Sequence, residues 1–246
     1  MAPDVSTVFI YALITALATG LGALPLFFAR HVPRSWLGLA NAIAAGLMLA
    51  VSFNLIYEGF AYNKIRVLLG MTLGLVFIVL SRNFLNRRGE IEIRQLRSAD
   101  PLRALLIVGV MTIHSFAEGI GVGVSFGGGE TFGIFISLAI AVHNIPEGLA
   151  ISLVLVPDGV SVWRAGVWSI ISSLPQPLMA VPAFIFVSAF EPVLPVGLGF
   201  ASGAMIWMVF SEIVPEALEE SDASPVAVVL TLAVIVMTAV QILIGG

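Results

Sequence analysis

Cysteine is absent from all 246 residues, which excludes disulfides and thiolate metal sites and leaves the redox compartment unmarked. Charge is scarce too: Asp, Glu, Lys and Arg make up 11% of the chain, against about 25% in a soluble domain. Hydrophobic residues reach 59% and mean hydropathy is +1.07. An ordinary soluble fold is excluded, and a polytopic membrane protein is expected. The modest net charge of -4 suggests no nucleic-acid partner, and the metalloprotease pattern H-E-x-x-H is missing.

A membrane-crossing helix needs about 20 apolar residues, and eight runs qualify: Ser6 to Ala29, Ser35 to Tyr57, Val67 to Ser81, Ala104 to Gly127, Phe132 to Val156, Ala165 to Phe190, Pro192 to Phe210 and Val226 to Ile244. The fold class expected is therefore all-α, with eight transmembrane helices in a single transmembrane domain over residues 1–246. The first run has no Lys or Arg before it and exceeds the roughly 7 to 15 apolar residues of a signal-peptide core, so it reads as a retained span. The third has just 15 residues between Arg66 and Arg82. It must borrow flanking residues, with the arginines snorkelling to the interface.

Numbering the loops alternately puts Arg30, Arg34, Arg82, Arg87, Arg88, Arg94, Arg97, Arg103 and Arg164 on one side, and Lys64 and Arg66 on the other. Nine basic residues against two is a positive-inside signal. It places the polar linker 82–103, between spans 3 and 4, in the cytoplasm and both termini outside it, in a multi-pass protein of the cell membrane. The linker's six arginines read as a topology signal rather than a lipid-headgroup site. Residues Glu216 to Asp222 carry four acids and no base and read as a solvated acidic loop.

Two ionisable pairs sit inside these apolar runs, His114-Ser-Phe-Ala-Glu118-Gly119 and His143-Asn-Ile-Pro-Glu147-Gly148. Each charged group at a membrane centre costs about 2.5 to 3.5 kcal/mol on insertion scales, so each must face a partner, a cavity or an ion. In H-x-x-x-E the two side chains lie one helical turn apart on one face. The spacing from His114 to His143 and from Glu118 to Glu147 is 29 residues in both cases, and Gly127, Gly128 and Gly129 supply a turn between. Antiparallel neighbouring helices follow, and they look like an inverted repeat with a site near the bilayer midplane. Pro146 removes a donor and frees the Val142 carbonyl, so a break in the second helix is expected there. Two imidazoles and two carboxylates match the ligand count of tetrahedral Zn2+. Buried His-Glu hydrogen bonds and a metal-free proton relay are the alternatives that the same four residues leave open.

On these motifs the chain resembles the ZIP (Zrt/Irt-like protein) family of divalent-metal transporters. The likeness covers the eight spans, the outside termini, the long cytoplasmic third loop and the motifs in spans 4 and 5, and it is strongest toward the short bacterial, GufA-like branch. It implies a ZIP-like helical bundle that carries Zn2+ as transported substrate, with Fe2+, Mn2+ or Cd2+ as further cargoes, into the cytoplasm by rocking of spans 1, 4, 5 and 6 against the rest. His114, Glu118, His143 and Glu147 are then the metal ligands. Some members hold a second metal at positions that here read Ser115, Asn144 and Gln176. A neutral Gln176 where those members have a glutamate makes a second tight site doubtful. Glu212 resembles a family carboxylate near the inner end of the path. It equally suits the cytoplasmic boundary of span 7. The expected partners are divalent metal ions and the lipid bilayer, and a homodimer stays open.

No enzymatic activity is expected. A rival motif, Gly123-Val-Ser125-Phe-Gly127, fits G-x-S-x-G and would suit an intramembrane serine hydrolase, but that pattern needs a strand-turn-helix setting and leaves both carboxylates unexplained. Asn54 and Glu58 of span 2 could line an outer vestibule, and His31 reads as a surface residue. Topology is open to direct test. Cysteines introduced at Asp4 and Gly246 should react with an impermeant thiol reagent from outside, and one at Arg94 only after permeabilisation. Labelling of Arg94 in intact cells would reverse the assignment.

Overall fold

A computed structural model describes residues 3–28, 33–88, 101–157 and 159–245 of the chain. His31, Arg30 and the stretch 89–100 of the cytoplasmic linker, with Arg94 and Arg97, lie outside the described residues. No strand occurs among the described residues. Lipid offers the backbone no hydrogen bonds, and helices satisfy theirs within one segment.

The helices are α1 (Val5–Leu21), α2 (Pro25–Phe28), α3 (Arg34–Tyr62), α4 (Lys64–Arg88), α5 (Pro101–Gly127), α6 (Glu130–Leu155), α7 (Val162–Ser173), α8 (Pro175–Ala189), α9 (Leu194–Met208), α10 (Val214–Glu220) and α11 (Ala223–Gly245). A 3-10 turn, Glu191–Val193, precedes α9, and a π turn, Val209–Ile213, follows it. By length and composition seven stretches can cross a membrane: 5–28, 35–62, 64–84, 130–155, 162–189, 191–220 and 223–243. Among the described residues seven qualify against the eight runs expected from the hydropathy; the motif-bearing α5, a 27-residue helix, packs among them.

Several boundaries differ from the sequence expectation, each for a local reason. The short third run extends at both ends into the 25-residue α4, and Arg82 does not snorkel outward. It turns inward to pair with Glu212, while Arg66 Nη1 donates to the Pro192 carbonyl at 3.1 Å. Pro146 does not break α6, which is continuous from Glu130 to Leu155. One missing donor costs one bond, and the turns on either side are held by contacts to α1. The interruptions fall elsewhere, at Leu174 before Pro175, at Gly22 to Leu24 before Pro25 and at the π turn before Pro215. The acidic segment is not a loop throughout, because Glu216 to Glu220 belong to α10.

The helices pack in two groups. One holds α1, α5, α6, α7 and α8, and the other holds α3, α4, α9, α10 and α11; α3 against α6 and α5 against α9 join them. Burial separates centre from rim: 67% of the apolar window is covered in α3 and in α6, against 17% in α11. α11 therefore turns most of its surface toward lipid, as the exposed Leu232, Ile235 and Val236 show.

Two close helix approaches explain the glycine that ends each motif. A methyl at Gly119 would stand 2.6 Å from the Gln176 carbonyl oxygen of α8, and one at Gly148 would overlap the Thr19 carbonyl of α1. Small residues let helix backbones meet where lipid gives no hydrophobic drive to association. Between the motifs, Gly129 takes φ 127°, a region costly to any other residue, and reverses α5 into α6. Gly148→Ala should cost about 3 kcal/mol, the upper end of overpacking penalties, because the obstacle is backbone. Gly109→Ala, with nothing within 4 Å of the added carbon, should be neutral or stabilise by up to about 1 kcal/mol. Thermal unfolding of the detergent-solubilised pair checks the contrast.

Candidate metal centre

His114 and Glu118 occupy adjacent turns of α5, and His143 and Glu147 adjacent turns of α6. The i, i+4 spacing aims each pair along one face, and the glycine turn brings the faces together. All four side chains are buried, Glu118 completely. His143 Nε2 lies 2.7 Å from Glu118 Oε1, a separation that needs one proton shared between them. Glu118 Oε2 accepts from Gln176 Nε2 at 2.6 Å, so both oxygens of the most deeply buried carboxylate are engaged.

Glu118, His143 and Glu147 each offer a ligand atom, and the three atoms fall within 4.8 Å of one another. Ligands of tetrahedral Zn2+, with bonds of about 2.0 to 2.1 Å, stand about 3.3 Å apart. An ion replacing the shared proton would open the His143 to Glu118 distance toward that value, and a small rotation would bring Glu147 in. Neither oxygen of Glu147 has a hydrogen-bond partner, and Nδ1 of His114 and of His143 has none either. Buried polar atoms left alone are costly; a cation would serve the oxygens of Glu147, which makes the donor set fit a hard or borderline dication.

His114 stands at the edge of this cluster. Its Nε2 is 3.8 Å from Glu118 Oε1, and its Nδ1 is 3.5 Å from Glu212 Oε2. The π turn carries Glu212 inward. Widened turns of this kind re-aim side chains and recur at functional sites.

The three positions considered for a second metal sit close by, and of their oxygens only Gln176 Oε1 is engaged, while Asn144 Oδ1 and the Ser115 hydroxyl have no partner. Asn144 Nδ2 donates to the Thr15 carbonyl at 2.9 Å and to Gln176 Oε1 at 3.1 Å. Gln176 thus spends its oxygen on Asn144 and its nitrogen on Glu118. Ser115 is fully buried, with a hydroxyl that has no partner. Sequence reasoning missed the part α1 plays. Thr15 anchors Asn144 through its backbone carbonyl, which no side chain signals, and Thr19 Oγ1 donates to Ser173 Oγ at 2.8 Å; a threonine in an apolar span was the available signal for the second contact alone. It also missed Arg82, counted there as a topology residue.

The other sequence candidates lie apart from the cluster. Ser125 bonds the Val122 carbonyl at 2.7 Å within continuous helix. It is eleven residues from His114, about 16 Å along the axis. Without a strand before it among the described residues, the hydrolase reading has no support. Glu58 bonds Tyr62 on its own helix, and Asn54 borders a groove between α3 and α11 with Tyr57 and Thr238.

The model of the family described as ZIP Zinc transporter matches residues 88–244. A protein of Arabidopsis thaliana named "Putative zinc transporter" is 49% identical over 243 residues, 98% of this chain and 39% of the relative. The chain thus spans about two fifths of that relative's length. Zinc transporter GufA of Myxococcus xanthus is 30% identical over 222 residues, 84% of this chain and 86% of the relative. Human zinc transporter ZIP11 is 38% identical over 122 residues, 47% of this chain and 36% of the relative. These names describe transport and not catalysis.

Gln176 generates a test of stoichiometry. With a neutral amide against Glu118, purified protein should hold one tightly bound Zn2+ per chain. Gln176→Glu puts a second carboxylate against Glu118 and should move the ratio toward two. Elemental analysis checks both, and two tight equivalent ions in the unaltered protein would refute the first.

Proposed function

This chain belongs to the ZIP zinc transporter family, and from that premise we propose that it moves Zn2+ across the membrane through the His/Glu cluster between α5 and α6. One observation carries the reading. Glu118, His143 and Glu147, which come from two helices, converge within 4.8 Å in a protein interior flanked by apolar spans. Two carboxylates neutralise a dication, and imidazole suits Zn2+. His114, Asn144, Gln176, Ser115 and Glu212 complete the surroundings of the path.

Finer features extend the same proposal. Fe2+, Mn2+ and Cd2+ are further cargoes, since N/O sites discriminate by geometry and supply more than by raw affinity. Transport runs into the cytoplasm, across the cell membrane, with both termini extracytoplasmic and the chain acting singly or as a homodimer. The two helix groups supply a mechanism. The motifs and α1, α7 and α8 form one body, and rocking of that body against α3, α4, α9, α10 and α11 would expose the cluster to each side in turn.

Binding exchanges an ion for protons. When the metal arrives, the proton between His143 and Glu118 must quit that position, going to the free Nδ1 of His143 or out of the site, and any proton on a ligand carboxylate must be released, so affinity falls with acidification by about tenfold per pH unit for each proton released. Uptake of divalent ions into proteoliposomes, at pH 7 and below 6, tests this together with three variants. His143→Ala and Glu147→Gln should abolish uptake while leaving the inserted protein folded, and Ser125→Ala should transport nearly normally. A structural His-Glu pair predicts otherwise. Breaking it leaves a buried charge uncompensated at about 3 to 5 kcal/mol, seen as low yield and a low thermal midpoint. Near-normal uptake in the first two variants, or loss in the third alone, would sink the proposal.

A further inference from the structure

Arg82 is out of place by the logic that places arginines in membrane proteins. It ends the apolar part of α4, where its side chain could reach the interface. Instead it pairs with Glu212, a residue 130 positions away. Side-chain exposure rises from 0% at Glu118 and 5% at His114 to 11% at Glu212 and 33% at Arg82. These four residues form a line from the buried cluster to the surface.

His114 joins the two halves of that line. Its Nε2 faces Glu118, and its Nδ1 faces Glu212 at 3.5 Å without a hydrogen bond. That separation is close to the roughly 3.3 Å between two ligands of one tetrahedral ion. A dication leaving Glu118 therefore meets a second imidazole nitrogen and a second carboxylate at ligand spacing. That carboxylate already holds a cation, and the cation is attached to the protein.

We propose that Arg82 is a tethered competitor for the transported metal. Its guanidinium holds Glu212 when no ion is there, and a departing dication displaces it and is displaced by it in turn. The inference rests on the transport reading above. A carboxylate beside His114 with no resident cation would retain metal, and a guanidinium that already holds one of its oxygens, as Arg82 Nη1 holds Glu212 Oε1, returns the metal to solution. Arg82 thereby sets how tightly the exit position holds its cargo and how fast the cargo leaves, at the cytoplasmic end of the path under the proposed topology.

The test compares the full chain with Arg82→Gln, Arg82→Lys, Glu212→Gln and the double variant Arg82→Gln/Glu212→Gln. Zn2+ affinity and thermal midpoint are measured in detergent and Zn2+ uptake in proteoliposomes. Arg82→Gln should bind Zn2+ at least tenfold more tightly and turn over more slowly in proportion. Arg82→Lys, which keeps the charge but places it on a compact, more strongly hydrated ammonium without the fixed guanidinium fork, should tighten binding a few-fold. Removing Glu212 as well should return affinity to the starting value or below. A purely structural ion pair predicts a lower midpoint for Arg82→Gln, recovery in the double variant and no gain in affinity; that pattern, or affinities of Arg82→Gln and Arg82→Lys within twofold of the unaltered protein, overturns the proposal. If Arg82→Gln does not accumulate, Arg82→Lys alone decides. An unaltered protein that moves no metal defeats the transport reading instead, and the binding comparison still decides the part played by Arg82.

Discussion

The Glu118 carboxylate is the group around which the interior is arranged. It has no exposed surface, and a charge there must be met from within the protein. His143 of α6 meets one oxygen and Gln176 of α8 the other. Gln176 is held in turn by Asn144, and Asn144 by the Thr15 carbonyl of α1. One buried carboxylate thus ties together α1, α5, α6 and α8. These belong to one of the two helix groups.

Such a network demands close backbones, and the chain supplies them with glycine and with interrupted helices. Gly119 and Gly148 follow the two glutamates and admit the neighbouring helix at each. The break at Leu174 starts α8 anew one residue before Gln176, which lets that side chain enter beside Glu118. The π turn at Val209–Ile213 does the corresponding service for Glu212. These two irregularities each deliver a polar side chain to the interior, whereas the four motif residues come from the uninterrupted α5 and α6.

The correspondence between sequence and structure is uneven in an instructive way. Pro146 is the loudest break signal in the motif helix, yet α6 passes through it, whereas Pro175 and Pro215 mark real interruptions. A proline removes one bond wherever it falls, and the neighbouring packing decides whether the helix bends around the loss. Arg82 reads as an interface residue in the sequence because a hydropathy profile records how polar a residue is, not what it faces.

The sequence by itself determined the material and the local geometry: a helical membrane protein, because so apolar a chain has no soluble solution, and two His/Glu faces one turn deep, because i, i+4 residues share a face in any helix. The glycine turn then made those two helices antiparallel neighbours. Tertiary structure alone decided the rest: that Gln176 secures Glu118, that Thr15 secures Asn144, and that Arg82 and Glu212 meet across 130 residues. The physical reason is that lipid is as apolar as the side chains it touches, so hydropathy cannot say which face of a span turns inward or which span it meets. That choice is made by close packing of small residues and by buried polar groups finding partners, and neither operates until the helices have assembled.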